Sequence, residues 1–363
     1  MATLAEIFTN IANALREKTG DNSKMLPEEM ANIIKSLSIK EKMLSYVGVI
    51  QPLTWNTSYL AATTVGNYAL FGGGSTGSNT DTSTVDSYSS SLSKDTATPL
   101  SSARYSLKAT TVGNYALFAG GYVTFNYFNT VDSYTNTLTK GTATILSKER
   151  SQLAATTVGN YALFGGGNSS SNVVDSYDTS LTKGTQPTLN KGRNLLAATT
   201  VGNYALFGGG YGTNGVSEVV DAYNNALTKS TPPALSATRM DLAATTVGDY
   251  ALFAGGNGNG PLFNTVDSYT NTLTKSTATN LSVARDKMAA TTVGIYAIFA
   301  GGWDSTKSNV VDSYNNTLTK ETPPVLSEAR YGLSATTVGN YAIFGGGTTT
   351  SPTYTNTVDC YLV

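Results

Sequence analysis

The sequence predicts an all-β fold, a seven-bladed β-propeller of four-stranded blades preceded by a short helical hairpin. Three observations carry this. The stretch "VGNYALFGGG" at 65–74 returns six more times, with its tyrosine at 68, 115, 161, 204, 250, 296 and 341, a spacing of 43 to 47 residues. A fixed period of this size marks a repeat architecture in which each unit buries its apolar face against the next. Only 13% of the 363 residues are charged, while Gly, Ser, Thr, Asn and Tyr abound, the profile of many short strands joined by turns. The chain closes on "NTVDCYLV", half of a unit that runs on for a dozen residues in its six earlier copies.

Each unit divides into four strands. Strand a reads "LAATTV", small and alternating, as suits the crowded innermost position near an axis. Strand b reads "YALFGG", strand c "VDSY", and strand d "LTKGTATIL" or its equivalents. The Gly-Asn or Gly-Asp between a and b suits a two-residue hairpin turn needing positive φ. The Gly pair ending strand b lets neighbouring backbones approach closely, because no Cβ intervenes. A four-stranded meander at this period is a propeller blade. The seventh unit lacks strand d, and "MLSYVGVIQPL" at 43–53 stands before the first strand a with nothing to pair it. The N-terminal strand is therefore expected to complete the last blade and close the ring without an open edge.

These units resemble kelch repeats over residues 44 to 363. The likeness rests on an Arg before strand a (Arg104, Arg150, Arg193, Arg239, Arg285 and Arg330), the aromatic and Gly pair ending strand b, and a Tyr in strand c (Tyr88, Tyr134, Tyr177, Tyr223, Tyr269, Tyr314 and Tyr361). Blade one has Thr57 in place of the Arg. Kelch units usually carry a Trp six residues after the Tyr, where this chain has Lys (Lys94, Lys140, Lys183, Lys229, Lys275 and Lys320), so the outer packing is expected to differ.

Residues 1–42 form a separate segment, expected to be a docking or attachment module ahead of a propeller over 43–363. Twelve of the chain's 47 charges lie within the first 43 residues. Leu4, Ile7, Phe8, Ile11 and Leu15 recur at the helical period, with Thr3 and Glu6 spaced as a capping box and Gly20 as a C-terminal stop. Pro27 opens a second helix striped by Met30, Ile33, Ile34 and Leu37. A pair this short rarely folds alone and should dock on its own chain, a copy of itself or another protein. The wording "IANALREKTG…LPEEMANII" resembles an N-terminal module of tail-fibre and other structural proteins from phages and prophages of Gram-positive bacteria. That resemblance implies a virion component, made in a host cytoplasm, whose apolar stripes attach it to other tail proteins.

Chemistry is sparse. There is no histidine, which removes Ser-His-Asp and Cys-His catalysis and the commonest zinc sites, together with the copper centre that a kelch resemblance to galactose oxidases would imply. No metal, cofactor or catalytic residue is expected. Cys360 is the single cysteine and reads as structural. A net charge of −1 gives no electrostatic case for nucleic acid or an anionic membrane, and the start has no basic-then-apolar export signal. Asp86, Asp132, Asp175, Asp221, Asp267, Asp312 and Asp359 occupy one strand c position in every blade. A group present in every blade belongs to the blade, so these are expected to pair with the Arg or Lys of the same or the next one; the alternative is a ring of charge lining the channel.

The b–c connections differ from blade to blade and carry aromatic residues without an obvious core to fill: Tyr122, Phe125, Tyr127, Phe128, Tyr211, Phe263, Trp303 and Tyr354. They are the expected ligand- or partner-binding residues, on the face that b–c and d–a connections share. The leading expectation is a non-enzymatic phage tail, baseplate or fibre protein presenting this face to a host-surface glycan or protein, or to neighbouring subunits. The alternatives are a bacterial kelch-like glycan-binding adhesin and a sugar-acting kelch enzyme such as a sialate mutarotase. Glu149, Glu218, Glu321 and Glu328 each occur in one blade, but no partner set singles out an acid/base pair.

Overall fold

The computed structural model describes residues 12–13, 43–77, 80–350 and 353–363. The chain divides into two compact units, Met1–Leu44 and Ser45–Val363. Of the first, Ala12 and Asn13 are helical, and no helical element is defined among the described residues. The expected hairpin, with Leu4, Ile7, Phe8, Ile11, Leu15, Met30, Ile33, Ile34 and Leu37, lies outside the described residues.

The second unit is a ring of seven four-stranded antiparallel sheets. In the third blade strand a is Ala154–Val158, b Tyr161–Gly165, c Val174–Asp178 and d Lys183–Gln186, paired in that order. Strand d is shorter than its sequence suggests. The Leu and Thr preceding its Lys belong to the c–d turn, where Leu92, Leu138, Leu181, Leu227, Leu273 and Leu318 all take φ near +60°. Several of those leucines, Leu138 and Leu181 among them, still pack against the inter-blade core.

Closure follows the expectation. Ser45–Val49 pairs antiparallel with Val358–Leu362 and supplies the outer strand of the seventh blade. Tyr46 stands opposite Tyr361, the place a lysine holds in the other blades, as Lys140 does opposite Tyr134.

The apolar core lies between blades. Ala61, Val65, Leu70 and Val85 of the first blade pack with Leu107, Ala116, Phe118 and Tyr134 of the second. The same arrangement joins the first blade to the seventh through Leu60, Phe71, Tyr88, Val338, Ile343 and Val358. Each strand b Phe meets the strand c Tyr of its own blade edge to face at 5.7 to 6.0 Å. The Tyr hydroxyl then donates to a carbonyl of the preceding blade, as Tyr134 does to Thr98 at 2.7 Å and Tyr88 to Gln51 at 2.8 Å. One side chain thus fills its own blade and satisfies its polar end in the neighbour. The glycines behave as expected: a Cβ on Gly208 would fall 2.7 Å from the Phe253 ring, and one on Gly209, at φ +69°, 2.5 Å from the Arg239 carbonyl.

The repeated charges are internal to each blade. Arg193 donates to Asp221 of its own blade at 2.8 Å and to the Phe207 carbonyl at 3.0 Å, with both charged side chains fully buried. Five other blades repeat the pair. The second Asp221 oxygen accepts from the Asn190 amide and from Lys229. The strand c carboxylates therefore do not line a channel. In blade one, where Arg is replaced by Thr57, Asp86 is held by Lys94 and by the amide and hydroxyl of Thr54. In blade seven the Tyr46 hydroxyl donates to Asp359 at 2.5 Å, substituting for the missing lysine.

Candidate functional site: the axial mouth and its rim

Two closed rings of hydrogen bonds surround the axis. The deeper one is built from the paired threonines of strand a. Their hydroxyls bridge neighbouring blades at 2.7 to 2.9 Å, from Thr63 with Thr111 round to Thr336 with Thr64. The second threonine of each blade also donates to a backbone carbonyl one blade back, as Thr157 does to Thr111 at 2.5 Å. Ala and Thr are small enough to crowd this position, and Thr adds a hydroxyl that links the blades.

The outer ring lies at the entrance to strand a, two residues past the Arg position. Tyr59, Ser106, Gln152, Leu195, Asp241, Lys287 and Gly332 occupy equivalent places, all with φ between +52° and +65°. Each donates its amide to the carbonyl of the equivalent residue one blade back, at 2.8 to 3.2 Å, from Ser106 on Tyr59 round to Tyr59 on Gly332. A left-handed conformation costs a non-glycine residue roughly 1–2 kcal/mol. The ring bond, worth about 1 kcal/mol, together with the packing on both sides, offsets that cost. Six of the seven nevertheless bear a side chain, so the mouth is lined by six different chemistries in an otherwise repetitive molecule.

Below this ring the strands begin with Ala61, Ala154, Ala197, Ala243 and Ala289, and with Ser334 in blade seven; blade two has Lys108. Lys108 touches both chambers of the axial cavity, about 170 Å³ at the mouth and about 200 Å³ among the strand a alanines. Its side chain keeps free surface because the bore is open, yet blades enclose it on every side. That enclosure lowers its ammonium pKa, with Asp241 opposing the shift. Burial pushes the Asp241 carboxyl up to about 6, against the pull of Lys287 and Lys108 and assisted by Asp286. Asp286 is itself raised by burial and accepts from the Asn257 amide at 3.3 Å, while its other oxygen has no partner among the described residues.

The rim holds the residues singled out in the sequence, in two stacked groups and several scattered positions. Trp303 meets Tyr331 edge to face at 5.4 Å, Tyr331 meets Tyr59 at 6.5 Å, and the Lys287 ammonium lies over Tyr331 at 5.8 Å. Tyr122 meets Tyr105 at 5.4 Å and Tyr127 at 4.9 Å, and Phe125 stands at the tip of that hairpin, 87% exposed. Phe128 is half-buried with the Arg104 guanidinium 6.0 Å from its ring centre, so it serves the blade as much as the surface. Phe263 folds over Gly258 within its own loop. Tyr211 is exposed on a hairpin of blade four, and half-buried Tyr354 is close enough to Tyr59 and Tyr105 to raise both hydroxyl pKa values, after burial itself.

Sequence reasoning missed Tyr59, Tyr105, Tyr331 and the charged mouth. These residues sit in the d–a connections and not in the variable b–c loops. The available signal was the column two residues past the Arg, where the seven copies disagree in every case.

Among the described residues no three His, Cys, Asp or Glu side chains group as metal ligands. Cys360 is fully buried in strand c of blade seven, and burial, then the Asp359 charge, push its thiol up to about 12. A thiol so raised is not a nucleophile near neutral pH.

No family model matches the chain, and a search of curated proteins finds no match.

Proposed function

We propose that this protein is a non-enzymatic component of a phage or phage-like particle, in the tail, baseplate or fibre. In this reading residues 1–42 attach it to other tail proteins, and the kelch-type propeller presents its loop face to a host-surface glycan or protein. The observation that carries the binding role is the placement of sequence difference. Seven blades repeat their core and their threonine ring, six repeat the Arg–Asp pair, and they differ chiefly at one end, in the b–c loops and the mouth column. A rigid scaffold with variable loops at one end is the usual form of a recognition surface. Stacked Trp303, Tyr331 and Tyr59 beside Lys287 suit sugar rings, which offer an apolar face and polar edges. The kelch assignment is supported by the Gly pair and the strand c Tyr in every blade, joined in six of the seven by the buried Arg. The particle assignment rests on the resemblance of the N-terminal wording.

Peptide mass spectrometry of density-purified phage or tail-like particles from the source organism tests this. Stoichiometric recovery of the chain in particles is expected. Its absence there, with the protein free in the cytoplasm, would overturn the particle role and leave a glycan-binding bacterial kelch protein, which the same stacked aromatics favour.

A further inference from the structure

We propose that the axial mouth binds a small hydroxylated oxyanion, an acidic sugar or a sugar phosphate, with Lys108 as its counter-ion.

Lys108 stands where five blades place Ala and one places Ser, so the fold does not require it. The six strand d lysines each pair with a carboxylate in their own blade. Lys108 makes no hydrogen bond or ion pair among the described residues, and its nearest electrostatic partner is Asp241 across the mouth. An ammonium exposed inside a confined bore, with no carboxylate in ion-pair reach among the described residues, draws an anion that enters the mouth. The mouth chamber also holds Lys287, but that ammonium lies over the Tyr331 ring and is drawn to the Asp241 and Asp286 carboxylates, which leaves Lys108 as the cation for an incoming anion.

The remaining lining suits hydroxyl groups. Ser106, Gln152 and Ser334 can donate and accept, and Asp241 can accept from a sugar hydroxyl. Asp286 is not part of the chamber lining; one of its oxygens accepts from Asn257, and Lys287 offsets its charge. At about 170 Å³ the chamber is below the roughly 300 Å³ where pockets for drug-sized ligands begin. The occupant is thus a monosaccharide-sized molecule, or the acidic end group of a larger one. This site lies on the axis, shares only Tyr59 and Lys287 with the rim stack, and does not depend on particle attachment.

The experiment is calorimetric titration of the full chain, at neutral pH and low salt, with D-glucuronate, D-glucose 6-phosphate and D-glucose. The Lys108→Ala variant runs alongside. Ala is the resident residue at this position in five blades, so the variant is expected to melt with the wild type. At least one of the two anions is expected to bind with one-to-one stoichiometry, and glucose at least tenfold more weakly. Lys108→Ala should weaken the anion at least tenfold, the loss typical of a charge-assisted hydrogen bond. Which anion binds more tightly distinguishes a carboxylate ligand from a phosphate one. The proposal fails if neither anion binds the wild type, if glucose binds as well as the anions, or if Lys108→Ala binds them unchanged.

Discussion

Removing one strand c carboxylate should cost the fold very different amounts in different blades. In blade four, Asp221→Ala strands Arg193, whose side chain is fully buried with only the Phe207 carbonyl left as acceptor. Breaking a buried pair in this way costs about 3–5 kcal/mol, because one charge stays behind without its partner. The Asn190 amide and Lys229 also lose an acceptor. Lys229 is partly exposed and adds little, and effects within one network do not sum. In blade one the same change, Asp86→Ala, strands no guanidinium. It releases Lys94 and Thr54, both able to reach water, for about 1–2 kcal/mol. Urea denaturation followed by fluorescence, with midpoints compared at a shared m value, should separate the variants by about 1–4 kcal/mol. Adding Arg193→Met to Asp221→Ala should recover part of the loss, since no charge then remains buried. Equal losses for Asp221→Ala and Asp86→Ala would refute the reasoning, by showing that the arginine is not what makes the carboxylate costly.

Three further outcomes are expected. Gly209→Ala combines positive φ with a Cβ 2.5 Å from the Arg239 carbonyl, and should lower stability by roughly 2–4 kcal/mol in the same denaturation assay. Gly208→Ala should cost under about 1 kcal/mol, because Ala119, Ala254 and Ala300 hold that place in other blades and a ring can shift where a carbonyl cannot. Tyr46→Phe removes the hydroxyl that replaces the missing lysine on Asp359, and should cost about 1–3 kcal/mol in thermal or chemical unfolding. Asp241 titrates near 6 when folded against an ordinary 3.8, so the folded state binds its proton more tightly, and this group's contribution to stability falls as pH rises from about 4 to 6. Asp241→Asn should therefore melt above the wild type at pH 8, with the gap narrowing as pH drops from 7 to 4.

The architecture was legible because its causes are repeated. Seven copies of one stretch announce seven blades, and a half-copy at the end beside a spare strand at the start announces the closure. The Arg, Asp and Lys columns were visible too, but not whether they join one blade or two. That depends on the path of the arginine, which turns back under strand b to its own Phe carbonyl. The threonine girdle was legible only as smallness, since its hydroxyl bonds join residues 43 to 48 apart, or 272 apart at the seam. The mouth was the hardest to read. Tyr59, Gln152, Asp241 and Lys287 share no property but a backbone angle, and an angle enforced by a ring of neighbours leaves no mark on residue type.

The strand that completes the seventh blade also imposes an order of events. Ser45 and its hydrogen-bonding partner Leu362 are separated by 317 positions, so the seam joins the propeller's first-made strand to its last. During synthesis at about 5–20 residues per second, the early strand waits some tens of seconds with its edge unpaired while six blades assemble behind it. An unpaired edge of this kind can capture the same strand of another chain. The nascent protein is an open arc that becomes a ring only when residues 358–362 reach it, and a chain stalled before that point presents a sticky end instead of a finished molecule.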